Sequence, residues 1–182
     1  MSTPDQKKKK KISTRTSDGQ VFELEEHLAM ECDTIKTFFD NFSRDTVMPL
    51  PNVKSWEMVK LIEFCTKVRE LETQFGVKYM DIASSTEEQE KKEAGRFLEA
   101  FRAEFNKDLS HENLVYFLCA VNYLNIEVLM MILCQCMADG IKNKSVEYCR
   151  DLFGVQNDYT HEEEAKYRDK YAWVFEGLEI EE

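Results

Sequence analysis

A small β-sheet leading into a helical body, with short helices appended at the C-terminus, is the α/β (α+β) fold that these 182 residues predict. Three observations carry it. Two β-branched or apolar runs flank Asp18-Gly19, a strong hairpin signal. Two later segments repeat apolar side chains at helical spacing, and two more are apolar all round. Beyond residue 140 the apolar residues fall into short pieces separated by Gly154 and by the capping sequence Thr160-His-Glu-Glu163.

Taken in order, residues 1–10 form a Lys-rich tail without apolar content, expected to be disordered. The run Lys7–Lys11 reads as a solvated end more readily than as a nuclear-localisation patch. Ile12–Thr16 and Val21–Leu24 pair as the hairpin. Asp33-Thr34 offers a cap for a helix whose Ile35, Phe38, Phe39 and Phe42 fall at i, i+3, i+4 and i+7. Val47–Pro51 carries two prolines, which suits only a short edge strand. Ser55 opens the next helix, with Met58, Leu61, Ile62, Cys65 and Val68 on one face and Trp56, Val59 and Phe64 widening it.

Residues 69–95 carry the weakest signal, and Ala83–Glu93 reads as a long charged loop or frayed helix. Ser110 then caps a helix whose body, Leu114–Val121, is expected to sit in the core. After Asn122, Asn125 and Glu127, Val128–Ala138 reads as a second buried helix, with Gly140 as its terminator. Ser145 starts a short helix through Phe153, and Thr160 caps a last one running to about Trp173. Helices this short cannot persist by propensity alone. Their apolar side chains must therefore pack on the core or on another protein, and composition leaves the two even.

A chain of this size buries about 70% of its unfolded surface and needs no disulfide or metal to fold. The net charge is −11 and the pI near 4.9. The first 20 residues carry +4, the remaining 162 carry −15, and residues 158–182 alone carry −6. A body that acidic repels phosphate, which argues against nucleic acid and against an anionic membrane surface as partners. No apolar leader follows Met1, and no apolar run approaches the ~20 residues of a spanning helix. The expectation is a soluble intracellular protein. The six cysteines show no framework spacing and are expected to be core thiols rather than metal ligands. No cofactor is expected.

Catalysis needs a positioned constellation, and none is visible. There is no Gly-rich phosphate loop, and His27, His111 and His161 stand apart in sequence. Glu162–Glu164 complements a helix N-terminus, which accounts for its charge without acid–base chemistry. The chain reads as a non-enzyme.

The string Thr16-Ser-Asp-Gly-Gln-Val-Phe-Glu-Leu24 resembles the opening hairpin of the Skp family, the F-box-binding adaptors of SCF ubiquitin ligases. Thr34–Thr37, Pro49–Val53, Phe64–Thr66, Ala120–Leu124, Ile141–Lys144, Phe153–Asp158, Thr160–Glu164 and Trp173 follow in family order. The likeness covers about residues 10–175. It implies a BTB/POZ fold over 11–139, interrupted by a flexible charged loop at about 83–95. It further implies a helical F-box-binding extension over 140–175 and an acidic tail over 176–182.

By the same resemblance Leu118, Asn122 and Tyr123 face a cullin scaffold. Ile141, Leu152, Phe153, Val155, Asn157, Asp158, Tyr159 and Trp173 face the F-box protein. The implied role is a non-catalytic bridge between the two partners in cytoplasm and nucleus, with a homodimer as the expected unbound state; the alternative is a BTB-class self-association or assembly module not tied to a ligase. Three departures stand out. Asn125 replaces the family's usual Asp, Ser145-Val-Glu-Tyr148 replaces its T-P-E-E helix start, and Thr86–Gly95 replaces its acidic loop. They suggest a divergent paralogue with a restricted partner set.

Overall fold

The computed structural model describes residues 11–76, 96, 99, 100, 103–105, 107 and 109–175, with Phe75, Val174 and Phe175 described by backbone only. The tail expected at 1–10, the loop at 83–95 and the acidic end at 176–182 lie outside the described residues.

Strand β1 (Lys11–Thr16) and strand β2 (Val21–Glu25) form the expected antiparallel hairpin, with Ile12 opposite Leu24 and Thr14 opposite Phe22. Gly19 takes φ +83° in the turn, a conformation that favours glycine. The same turn clamps a distant helix. The Asp18 carboxylate accepts from the backbone N–H and hydroxyl of Ser55 and from the Thr16 hydroxyl, which holds it well below the usual carboxylate range, at about 2. A carboxyl depressed by folding adds stability above its unfolded value and loses it as pH falls through the folded one. Asp18→Asn should therefore be less stable than wild type near neutrality, with a gap that closes between about pH 4 and pH 2. Urea unfolding at both ends of that range checks it; a gap independent of pH would rule out this origin.

Strand β3 (Met48–Leu50) adds to β1 in parallel, giving the order β2-β1-β3. Pro49 points outward on this edge strand, where its missing N–H costs no ladder bond, while Met48 and Leu50 are buried. Central β1 turns Ile12, Thr14 and Thr16 inward. The Thr14 hydroxyl is fully buried and has no hydrogen-bond partner among the described residues. Thr14→Val keeps the shape and removes that desolvated group, so it should stabilise the fold by roughly 1 kcal/mol. Destabilisation on urea unfolding would instead indicate a bound water.

Helix α1 (Glu26–Ala29) and helix α2 (Asp33–Asn41) connect β2 to β3; Ile35 and Phe39 of α2 are buried, whereas Phe42, expected on the same face, follows the helix and is exposed. Asp33 and Thr34 do not cap α2; Cys32 occupies that position, and the two side chains bond instead to Asn125 and to the Tyr123 carbonyl. Helix α3 (Ser55–Phe75) extends well past residue 69, into the stretch of weakest sequence signal, and stops where Gly76 adopts φ +67°. Met58, Leu61, Phe64 and Cys65 are buried, but Val59 is 54% exposed and does not widen the core face.

Helices α4 (His111–Leu124) and α5 (Glu127–Ile141) pack on one another and on α3. Ser110 caps α4 by accepting from the Asn113 N–H at 3.2 Å. Phe117, with ring centroids 6.0 Å from Trp56 and 6.1 Å from Phe105, sits at the centre of the core. Neither helix is buried all round. Tyr116 and Cys119 of α4, and Met131 and Cys134 of α5, face outward. Only Cys32 and Cys65 are core thiols; burial pushes the Cys65 thiol up to about 12 and Cys32 higher still.

Gly140 does not end α5. It lies inside the helix, and a Cβ there would overlap the His111 ring, so its role is close approach rather than termination. The helix runs without a break through residues 139 and 140, where the sequence places the start of the extension. Helix α6 (Val146–Phe153) follows, capped by Ser145 and closed by Gly154 at φ +63°. Helix α7 (His161–Lys170) has the expected capping box between Thr160 and Glu163. The last helix divides at Tyr171, and Ala172–Phe175 forms a separate turn, α8. Among the described residues no helix is long and apolar enough to cross a membrane.

Candidate protein-docking surfaces

The first surface is the C-terminal end of α4. Leu118 is half-buried against the core, Asn122 is exposed, and Tyr123 is half-buried. Two side chains from the first turn of α2 hold this end in place. The Thr34 hydroxyl donates to the Tyr123 carbonyl at 2.7 Å, satisfying a C-terminal acceptor that the helix leaves open. The Asn125 amide donates to Asp33 Oδ2 at 3.0 Å. Asn125 adopts φ +54°, and its N–H closes the helix on the carbonyls of Val121 and Asn122. The structure thus places Asn122 and Tyr123 on one tied-down turn, with Leu118 on the turn before it.

Asn at position 125 matters because of this pairing. Asn125→Asp would replace a donor by a carboxylate next to Asp33. The expected cost is up to about 1 kcal/mol. Repulsion should make the loss shrink as ionic strength rises, and a loss in urea unfolding that is independent of salt would show that no repulsion acts.

The second surface is the extension. Neither α6 nor α7 contains a buried residue. Ile141 and Leu152 are half-buried and packed on the core, and they seat the extension. Phe153, Val155 and Tyr159 are exposed, as are Asn157 and Asp158, and Trp173 is 68% exposed. All eight extension residues singled out from sequence therefore sit on or beside the appended helices, six of them open to solvent.

Charge pairs join these helices where apolar packing does not. Glu164 accepts from Arg150 at 3.2 Å and from the Asn157 amide at 3.2 Å, with Arg168 at 3.5 Å. Arg150, then Asn157, hold its carboxyl below the usual range. Arg168 also meets Glu147 at 2.6 Å, tying α7 back to α6. Above this network the Tyr159, Tyr167 and Tyr171 rings form a ladder, with centroids 5.3 Å and 6.3 Å apart. With Val146 they line a shallow cavity of about 220 Å³.

A second groove, about 660 Å³, lies between α4 and α6 and is walled by Val115, Tyr116, Leu152 and Phe153. The two surfaces thus touch opposite ends of α4. Sequence reasoning did not single out Val146, Tyr167 or Tyr116. The four-residue spacing of Tyr167 and Tyr171 was the available signal, and it is masked by the polar composition of α7. Among the described residues no group of three or more His, Cys, Asp or Glu side chains is placed to hold a metal ion. What the arrangement offers is two separate surfaces on one core, the tied-down end of α4 and the exposed aromatic residues of the extension.

A model described as the Skp1 family tetramerisation domain matches residues 10–70, and one described as the Skp1 family dimerisation domain matches residues 127–174. SKP1-like protein 3 of Arabidopsis thaliana is 38% identical over 168 residues, covering 92% of this chain and 98% of that protein. SKP1-like protein 20 of Oryza sativa subsp. japonica is 38% identical, covering 91% and 94%. SKP1-like protein 1A of A. thaliana is 36% identical, covering 92% and 98%.

Proposed function

This chain belongs to the Skp1 family, and from that membership we propose that it is a non-catalytic adaptor of an SCF-type ubiquitin ligase. It bridges an F-box substrate receptor to a cullin scaffold, in cytoplasm and nucleus. The observation that carries this reading is the extension: two helices with no buried residue, with Phe153, Val155, Tyr159 and Trp173 exposed on or beside them. Apolar side chains gathered on helices of this length need a partner. An F-box protein is the partner that the family resemblance supplies, and the Asn122–Tyr123 turn is the face left for a cullin.

An adaptor of this kind contributes position rather than bond chemistry. Two docking faces on one body raise the effective concentration of a receptor's cargo near the ligase. Capture by immobilised F-box domains and by a cullin N-terminal fragment tests the proposal, and purified chain that binds neither would sink it.

A second reading follows from the descriptions of the matching family models, which name dimerisation and tetramerisation. It makes the chain a self-associating module not tied to a ligase. Sedimentation separates the two: a homodimer indifferent to added F-box domain favours this one.

A further inference from the structure

Helix α6 is seated on the body by very few contacts. One of them brings His111 to Tyr148 and Gly140, some thirty residues later in the chain. The Tyr148 hydroxyl and His111 Nδ1 are hydrogen-bonded, and the two rings meet edge to face at 5.8 Å. The imidazole occupies space that exists only because residue 140 has no side chain. Tyr148 is further fixed from its own end of α6: its N–H donates to Ser145 Oγ at 3.1 Å, and Lys144 Nζ lies 5.5 Å over its ring. The start of α6 is thus tied to the start of α4 and to the last turn of α5 at a single point.

We propose that His111, Tyr148 and Gly140 form a latch that sets the position in which α6 is offered to an F-box, making Tyr148 a positioning residue for receptor binding; this rests on the adaptor reading above. With Leu152 as its half-buried contact with the core, α6 has little to restore it when such a tie is lost. Once freed, it occupies its binding-competent position only part of the time, and apparent affinity falls by that fraction. Tyr148 is half-buried and, with His111, lines the α4–α6 groove that Phe153 also borders, so amide exchange across α6 is the readout that separates placement from direct contact.

The test uses the full chain with a recombinant F-box domain and a cullin N-terminal fragment. Tyr148→Phe keeps the ring and removes the hydroxyl. Gly140→Ala fills the space under His111 while improving the helix propensity of α5. Each variant should weaken F-box binding by roughly tenfold and leave cullin binding within about twofold. The double variant should be no worse than either single one, because both remove the same contact. Loss of F-box affinity with cullin affinity retained in both variants is a combination that a merely structural role would not produce. Amides of residues 146–153 should exchange faster with solvent in both variants.

F-box affinities within about twofold of wild type, or losses that multiply in the double variant, would overturn the latch. Wild-type protein that binds no F-box domain would instead overturn the adaptor reading. In that case amide exchange across α6 still decides whether the latch exists.

Discussion

Trp173→Ala should lower affinity for an F-box domain by about 30-fold or more while leaving the unfolding midpoint unchanged. The side chain is 68% exposed, so its removal leaves no cavity in the fold, and surface substitutions of that kind stay within about 0.5 kcal/mol. At a docked interface the same indole becomes a large buried anchor. Removing such an anchor typically costs about 2 kcal/mol or more, which is the stated change in affinity. Phe153→Ala should act in the same direction from the other side of the extension. Calorimetric titration together with thermal melting checks both; unchanged affinity for both variants would show that the exposed aromatic residues are not the receptor-binding face.

Tyr123→Ala should lower affinity for a cullin fragment by about tenfold or more and leave F-box binding within about twofold. Tyr123 is half-buried, so a stability loss of roughly 1–2 kcal/mol accompanies the change. The clamp itself survives, because Thr34 bonds the Tyr123 carbonyl rather than its side chain. The extension meets α4 around Val115 and Tyr116, seven or eight residues away. At 1.5 Å per residue that is about 11 Å, far enough for the two faces to behave independently. Tyr123→Ala combined with Trp173→Ala should therefore show the cullin loss of one and the F-box loss of the other, with no extra term. Equal loss of both partners in Tyr123→Ala alone would point to misfolding.

Much of this protein follows from local chemistry. The hairpin, the edge strand with Pro49, and the caps at Ser110, Ser145 and Thr160 are each specified within a few residues by turn or capping side chains. The order of the elements and the aromatic character of the extension were legible for the same reason. The all-round apolar segments were not, because periodicity cannot say which of several apolar faces stays outside. Tyr116, Cys119, Met131 and Cys134 read as core and are exposed. Val59 misled in the same way.

Other features depend on partners remote in sequence. Asp33 and Thr34 look like caps of their own helix, but they close the end of α4, some ninety residues later. Gly140 looks like a helix stop, yet its lack of a side chain makes room for His111. Tyr148, which replaces a capping residue in the resemblance, gains its role only because α4 passes beside α6. The sequence by itself determined the elements, their order and the family, since propensity, capping and hydrophobic period act over a few residues. Only the tertiary structure decided which apolar faces remain open and which side chains fix the two docking surfaces, because those outcomes depend on side chains that meet across long loops of chain.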